Sequence, residues 1–436
     1  MNPPSPLGQR SLKAVWHPCT QMQQLLDGTL PLLAVVAGEG PYLILEDGRR
    51  LLDGISSWWV NLFGHAHPAI NAALIDQLGR LEHVLLAGAT HPPVIELSER
   101  LAALTGLGHA FYASDGASAT EIALKMSAHY WRALGRPRKN RFVSLANGYH
   151  GETLGALGVT DLALYREPYE PLIRPADVLP SPDARMAATP FAAAEAAAEA
   201  LAAYLAAQHE EIAALIVEPL VQAAGGMAIH DAHYLRRARA LCNRYAVHLI
   251  CDEIAVGFGR CGSLFAHQQA GITPDLLCLS KGLSGGYLPL SVVMCREEIH
   301  RAFLHEETAR GFLHSHSYTG NPLACRAALA TLDLLTTGEV LAENQWRHDR
   351  IIAQLASVRA HPQVRHFRAL GMIFAFDVAA DAGFGRRFYR AALAEGALLR
   401  PLGNTVYLMP PYVLDAAQID TLCAACCRAL SASLTP

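Results

Sequence analysis

Two short apolar runs, each leading to a single ionisable residue, constrain this chain more than any other feature. Val247-His248-Leu249-Ile250-Cys251-Asp252 ends on an acid, and Leu276-Leu277-Cys278-Leu279-Ser280-Lys281 ends on an amine. Such runs read as strands of a buried parallel sheet. The 29 residues from Asp252 to Lys281 leave room for one loop-and-helix crossover between parallel neighbours. From about residue 65 the same texture repeats. Strands are expected at 110–113, 141–145, 214–218, 248–252, 276–279 and 291–295, with helices at 119–133, 190–208 and 232–245. That alternation predicts an α/β fold, a mainly parallel sheet between helices.

An acid and an amine at the ends of two such strands suit pyridoxal 5′-phosphate (PLP). The lysine can form a Schiff base with it, and the acid can pair with the pyridinium nitrogen. Lysine is scarce: Lys13, Lys125, Lys139 and Lys281 are the only four among 35 basic residues. Of these, only Lys281 follows a strand and precedes a glycine turn. Arginine, which supplies the rest, does not form imines under ordinary conditions.

Two further segments suit that cofactor. Ser114-Asp115-Gly116-Ala117-Ser118 follows a strand and opens a helix, so Gly116 and Ala117 are candidates to hold a phosphate through their backbone N–H groups. Asn147-Gly148-Tyr149-His150-Gly151 also follows a strand, and Tyr149 could stack on a pyridine ring. His150 could serve as acid or base, although a loop histidine is more often structural.

The composition excludes several other classes. A net charge of −4 without long runs of one sign gives no nucleic-acid surface. No segment reads as a membrane span, and the N-terminus has no apolar signal core. The ten cysteines form no disulfide-like framework, which fits a reduced, cytoplasmic setting. Neither His65-Ala66-His67, His314-Ser315-His316 nor the Cys423, Cys426, Cys427 cluster has the spacing of a metal site, so no metal is expected. The texture changes twice along the chain. The expected division is an N-terminal segment, 1–64, that joins a small α+β domain at 336–436, and a large cofactor-binding domain at 65–335. Pro168 to Pro182 reads as a connection across the surface, a helix is expected at 346–358, and Pro41 to Gly54 reads as a hairpin.

Together these segments resemble the class III aminotransferases, PLP enzymes of fold type I. The strongest local match is Leu249 through Gly262, followed at the family spacing by Leu279-Ser280-Lys281-Gly282. Within the class the chain is most similar to a branch that aminates 8-amino-7-oxononanoate in biotin biosynthesis. That similarity is carried by Val15 to Met22, Asp53 to Trp59, Gly64-His65-Ala66-His67-Pro68, Gly148 to Thr153, Glu218 to Met227 and His314 to Pro322.

The resemblance implies specific roles. Lys281 is the Schiff-base lysine, Asp252 holds the pyridine nitrogen, Tyr149 covers one ring face and Ile254 the other. Gly116 and Ala117 hold the phosphate, and Ser317 reaches the phosphate of a partner subunit in a homodimer. Trp58, Trp59, Tyr149, Lys281, Ser315, His316 and Tyr407 belong to the substrate site, with Arg400 binding the keto-acid carboxylate. Trp58 and Trp59 would face opposite ways if they lay in a strand. Arg260 falls near the active site with its role open. Cys19, Ser315 and His316 depart from the more familiar family pattern, which leaves the amino donor open between S-adenosylmethionine and lysine. Another class III transaminase, acting on 4-aminobutyrate, ornithine or a diamine, is the nearest rival reading.

Overall fold

A computed structural model of the chain describes residues 5–434. The contacts divide it into two compact units: one is Ala69–Leu341, and the other joins the chain up to Pro68 with the chain from Ala342 onward. These divisions fall a few residues beyond the expected 64/65 and 335/336.

The larger unit is built on a seven-stranded sheet. In chain order its strands are β1 (His109–Ala113), β2 (Arg141–Leu145), β3 (Asp177–Leu179), β4 (Ile212–Val217), β5 (His248–Asp252), β6 (Leu276–Leu279) and β7 (Ser291–Cys295). Their spatial order is β1-β7-β6-β5-β4-β2-β3. The β2, β3, β4, β5 and β6 pairings are parallel, whereas β7 runs antiparallel to both neighbours. Every residue of β4, β5, β6 and β7 is buried, which is why these strands appear in the sequence as unbroken apolar runs.

One strand escaped the sequence reading. The Pro168 to Pro182 segment, expected to cross the surface as a plain connection, contains β3, which pairs with β2 at the sheet edge. A partly exposed three-residue strand among prolines is too short to display a period of two.

The helices of this unit start on identifiable caps. Helix α1 (Gly116–Ala133) is capped by Asp115, α2 (Pro190–Gln208) by Thr189 with Pro190 at its first position, and α3 (Ala232–Arg244) by Asp231. Ala119, Ile122, Ala123 and Met126 of α1 pack into one core with Ile216 of β4, Ile250 of β5 and Cys278 of β6.

In the smaller unit, Tyr42–Leu45 and Arg50–Asp53 form the expected hairpin. Ala397–Leu398 adds to it in parallel, pairing with Leu52 and Asp53. A second sheet joins Val364–Leu370, Ile373–Val378 and Thr405–Leu408, all antiparallel. The helix expected at 346–358 is instead Val340–Gln354 followed by a short turn, Ala356–Arg359. All ten cysteines are free, and Cys423 and Cys426 are buried on the terminal helix Ala416–Leu434.

Candidate active site

The parallel pairing of β5 with β6 brings Asp252 opposite Cys278, three residues before Lys281. Acid and amine therefore emerge at the same edge of the sheet. Asp252 is 4% exposed. Its Oδ1 accepts from the Ile254 N–H at 3.1 Å, and its Oδ2 lies 2.7 Å from His150 Nδ1. A carboxylate only accepts, so His150 donates through Nδ1 and its tautomer is set from outside. The second lone pair on each oxygen leaves room for one more donor. His150 is thus a working neighbour of the acid, which its place beside Tyr149 in the sequence did not reveal.

Glu218 is a second residue that sequence reasoning passed over as a site member. It is buried, and its Oε1 and Oε2 accept from the N–H groups of Tyr149 and Ala223, each at 2.9 Å. Burial pushes its carboxyl up to about 7; His150 pulls it down and Asp252 pushes it further up. Its signal was available, since an acid ending an otherwise apolar strand run needs buried partners. Lys281 has a left-handed backbone (φ 42°), a conformation rare for a side chain of this kind. Desolvation lowers its ammonium below the usual range, against the pull of Asp252 and Glu218. More of the free amine is therefore present near neutral pH than on an exposed lysine.

The start of α1 fits an anion. Asp115 Oδ1 takes the Ser118 N–H at 2.9 Å, and its backbone oxygen takes the Ala119 N–H at 3.1 Å. The N–H groups of Gly116 and Ala117 have no acceptor among the described residues. Two orphan donors at a helix N-terminus form the cradle expected for a phosphate. The close packing there depends on glycine. A Cβ on Gly116 would lie 3.0 Å from the Ile254 side chain, and one on Gly151, at φ 121°, would lie 2.6 Å from Ala117 Cβ. Tyr149 is half-buried, with its hydroxyl donating to Glu152 at 2.8 Å and its ring edge-on to Tyr165. Gly116, Ala117, Tyr149, Asp252, Ile254 and Lys281 thus bring two open N–H groups, an aromatic ring, an acid, an apolar side chain and an amine into one unit.

Ser315, His316 and Ser317 lie on a loop of the same unit. Ser315 and Ser317 are exposed. His316 Nε2 lies 2.9 Å from His314 Nε2, whose Nδ1 lies 2.7 Å from Lys125 Nζ on α1.

Trp58, Trp59, Arg400 and Tyr407 belong to the smaller unit, where Arg400 pairs with Trp58 and Trp59 with Tyr407. Pairing of Ala397–Leu398 with Leu52–Asp53 carries Arg400 back to the segment after the hairpin. Arg400 Cζ sits 5.4 Å from the centroid of the Trp58 ring, and its Nη2 donates to the Cys19 carbonyl at 3.3 Å. Trp59 Nε1 donates to Tyr407 Oη at 3.1 Å, and burial pushes the Tyr407 phenol up to about 12.

The tryptophans do not lie in a strand, although one is buried and the other exposed. Ser56, Ser57, Trp58 and Trp59 all have positive φ, from 46° to 75°, and form one left-handed turn. Left-handed residues with a Cβ cost ~1–2 kcal/mol each. Two hydroxyls anchor the turn: Ser56 Oγ donates to the Met409 carbonyl at 2.8 Å, and Ser57 Oγ donates to Asp53 Oδ2 at 2.7 Å. The turn leaves Trp58 42% exposed and Trp59 only 4% exposed. Asp53 Oδ2 also meets His65 Nε2 at 3.1 Å, so that histidine has a structural partner.

The strand topology, the buried Asp–His pair, the strand-end lysine and the open helix N-terminus define a PLP-type transferase. The aminotransferase class-III family model matches residues 27–430, and the chain belongs to that family. It is an aminotransferase of fold type I.

Among its relatives, the adenosylmethionine-8-amino-7-oxononanoate aminotransferase of Helicobacter pylori is 44% identical, across 96% of each chain. The solved structure of the enzyme of that name from Methanocaldococcus jannaschii superposes with a TM-score of 0.91 at 31% identity, covering 98% of both chains. A PLP-bound amine transaminase from an uncultivated Pseudomonas species also superposes at 0.91, with 32% identity, covering 96% of this chain and 98% of that one. Among the described residues, no helix is long and apolar enough to cross a membrane.

Proposed function

We propose that this aminotransferase uses PLP to aminate 8-amino-7-oxononanoate to 7,8-diaminononanoate, a step of biotin biosynthesis, with S-adenosylmethionine as amino donor. The observation that carries the reading is the Trp58, Trp59, Arg400, Tyr407 cluster. A guanidinium over an indole, beside a second indole bonded to a phenol, suits a long apolar chain that ends in a carboxylate. The shared name of near-full-length relatives supports it.

Lys281 would hold PLP covalently, Asp252 its ring nitrogen, Gly116 and Ala117 its phosphate, and Tyr149 and Ile254 its two faces. Bound there, PLP supplies an electrophilic carbonyl and a ring that draws electrons from the substrate α-carbon. Lys281 Nζ, whose charged form burial disfavours, takes and returns the substrate proton. His150 orients the Asp252 carboxylate, and Glu218 fixes the backbone of Tyr149. Arg400 pairs with the carboxylate of the keto acid, while Trp58, Trp59 and Tyr407 hold its chain. Ser315 and His316 are assigned to substrate binding. Ser317 is assigned to the phosphate of a partner subunit in a cytoplasmic homodimer.

A half-reaction assay tests the reading. S-Adenosylmethionine should convert the PLP form to the pyridoxamine form, which 8-amino-7-oxononanoate should then discharge. Conversion by lysine instead would change the donor only. Conversion by 4-aminobutyrate, with no discharge by 8-amino-7-oxononanoate, would overturn the substrate assignment and favour an ω-transaminase.

A further inference from the structure

The strands that carry Asp252 and lead to Lys281 have a second polar feature at their opposite ends. His248 opens β5 and Asp275 immediately precedes β6, so both lie at the start of a strand whose far end serves the active site. Four residue steps along β5 separate His248 from Asp252, about 13 Å. Here the surface forms an open pocket of about 220 Å³ whose polar lining includes Arg239, Asn243, His248, Asp275 and Arg296.

The lining carries two guanidiniums and two carboxylates, and both guanidiniums pair with the same carboxylate. Asp275 Oδ2 accepts from Arg239 Nη1 and from the Leu249 N–H, both at 2.7 Å, and its Oδ1 lies 3.1 Å from Arg296 Nε. Two guanidiniums therefore share one buried carboxylate. The other acid of the lining, Glu298, is on the exposed rim, where water and salt screen it. Cys242 and Tyr130 also line the pocket; burial pushes the Cys242 thiol up to about 12 and raises the Tyr130 phenol, so both are uncharged at neutral pH. Lys139, over the Trp131 ring at 4.8 Å, adds positive charge from behind the wall.

Arg239 is 8% exposed and, with Arg296, supplies the guanidinium part of the lining. His248 meets Ser127 Oγ through Nδ1 at 2.9 Å, and its Nε2 has no partner among the described residues. Burial keeps this imidazole neutral, with a pKa of about 4. When Nδ1 accepts the serine proton, Nε2–H becomes a free donor. The exposed Asn243 amide adds donors on the lining.

We propose that this pocket binds a small oxyanion, either phosphate or a short carboxylate. Its volume lies below the ~300–1,000 Å³ of pockets for larger organic ligands. Guanidinium forks match both oxyanions in shape and charge.

The test titrates PLP-loaded protein with inorganic phosphate, malonate or chloride, at constant ionic strength and in buffer free of other oxyanions. Heat of binding and melting temperature are recorded. Phosphate or malonate should give a saturable rise that chloride does not. The one acting at lower concentration identifies the source. Asn243→Asp places a negative charge on an exposed residue. It should weaken that affinity about tenfold. Arg239→Gln should abolish the response if the variant folds, and Arg400→Gln should retain it, since Arg400 belongs to the proposed keto-acid site. A response equal to that of chloride, unchanged in Asn243→Asp, or lost in Arg400→Gln overturns the proposal, as does the lack of any saturable response.

Discussion

At the scale of single residues, the site turns on how burial alters ordinary side chains. A solvated lysine at neutral pH is an ammonium and a poor base. Lys281 is held where desolvation favours the neutral amine, and its left-handed backbone turns it out of the strand direction. Lys281→Ala should still bind PLP and yet lose the absorbance of a lysine-linked cofactor. Removing one positioned acid–base group costs ~10²–10⁴-fold, so turnover should fall by at least that much. A variant with steady turnover near the wild-type rate would refute the assignment of the lysine. His150 and Glu218 act around this centre without reacting. One orients the acid, and the other holds the backbone of the aromatic residue.

Among the elements, the proposed phosphate site makes α1 a link between stability and cofactor binding. Asp115 spends its side chain on Ser118, taking both the N–H and the hydroxyl at 2.9 Å, and so leaves the first two amides free. Asp115→Ala should cost about 1 kcal/mol in urea unfolding of the cofactor-free protein. It should also weaken PLP binding, read by equilibrium fluorescence, because the amides lose their fixed direction. Asp115→Asn, which retains a capping oxygen, should recover most of both. Equal behaviour of the alanine variant and the wild type would show that the cap is not what orders this turn.

The left-handed turn at Ser56–Trp59 follows another logic at the same scale. Local preference opposes it at every residue, and two hydroxyl bonds with the surrounding fold hold it. Nothing in Ser-Ser-Trp-Trp announces a left-handed conformation, since neither glycine nor asparagine is present. The sequence reading therefore did not foresee the backbone of these residues. β3 was lost for a related reason: its pairing with β2 is a tertiary fact that three residues cannot encode. By contrast β5, β6 and α2 were legible to their end residues, because burial on both faces and strong helix propensity leave marks in the order of residue types.

For the whole molecule, buried histidines link the fold to pH. The folded pKa of His248, about 4, lies below its ordinary 6.5. Between those values the unfolded chain takes up a proton that the folded chain refuses. The stability His248 contributes is therefore complete above about pH 6.5 and is lost as pH falls towards 4, on the order of 3 kcal/mol. His248→Gln should flatten the fall in melting temperature over that interval. Identical slopes for variant and wild type would assign acid sensitivity to other groups.

The sequence alone determined the class of chemistry. Apolar runs ending in Asp252 and Lys281, the small residues Gly116 and Ala117 after β1, and the scarcity of lysine each follow from local composition, and each is legible without coordinates. What only the tertiary structure decided is who stands behind those residues. His150 reaches Asp252 from 102 positions away, Glu218 reaches the Tyr149 amide from 69, and Trp59 meets Tyr407 from 348. Spacing along a chain records periodicity and turns. It carries no mark of which buried donor meets which buried acceptor, because that choice is made by the packing of strands and loops that close together only when the chain folds.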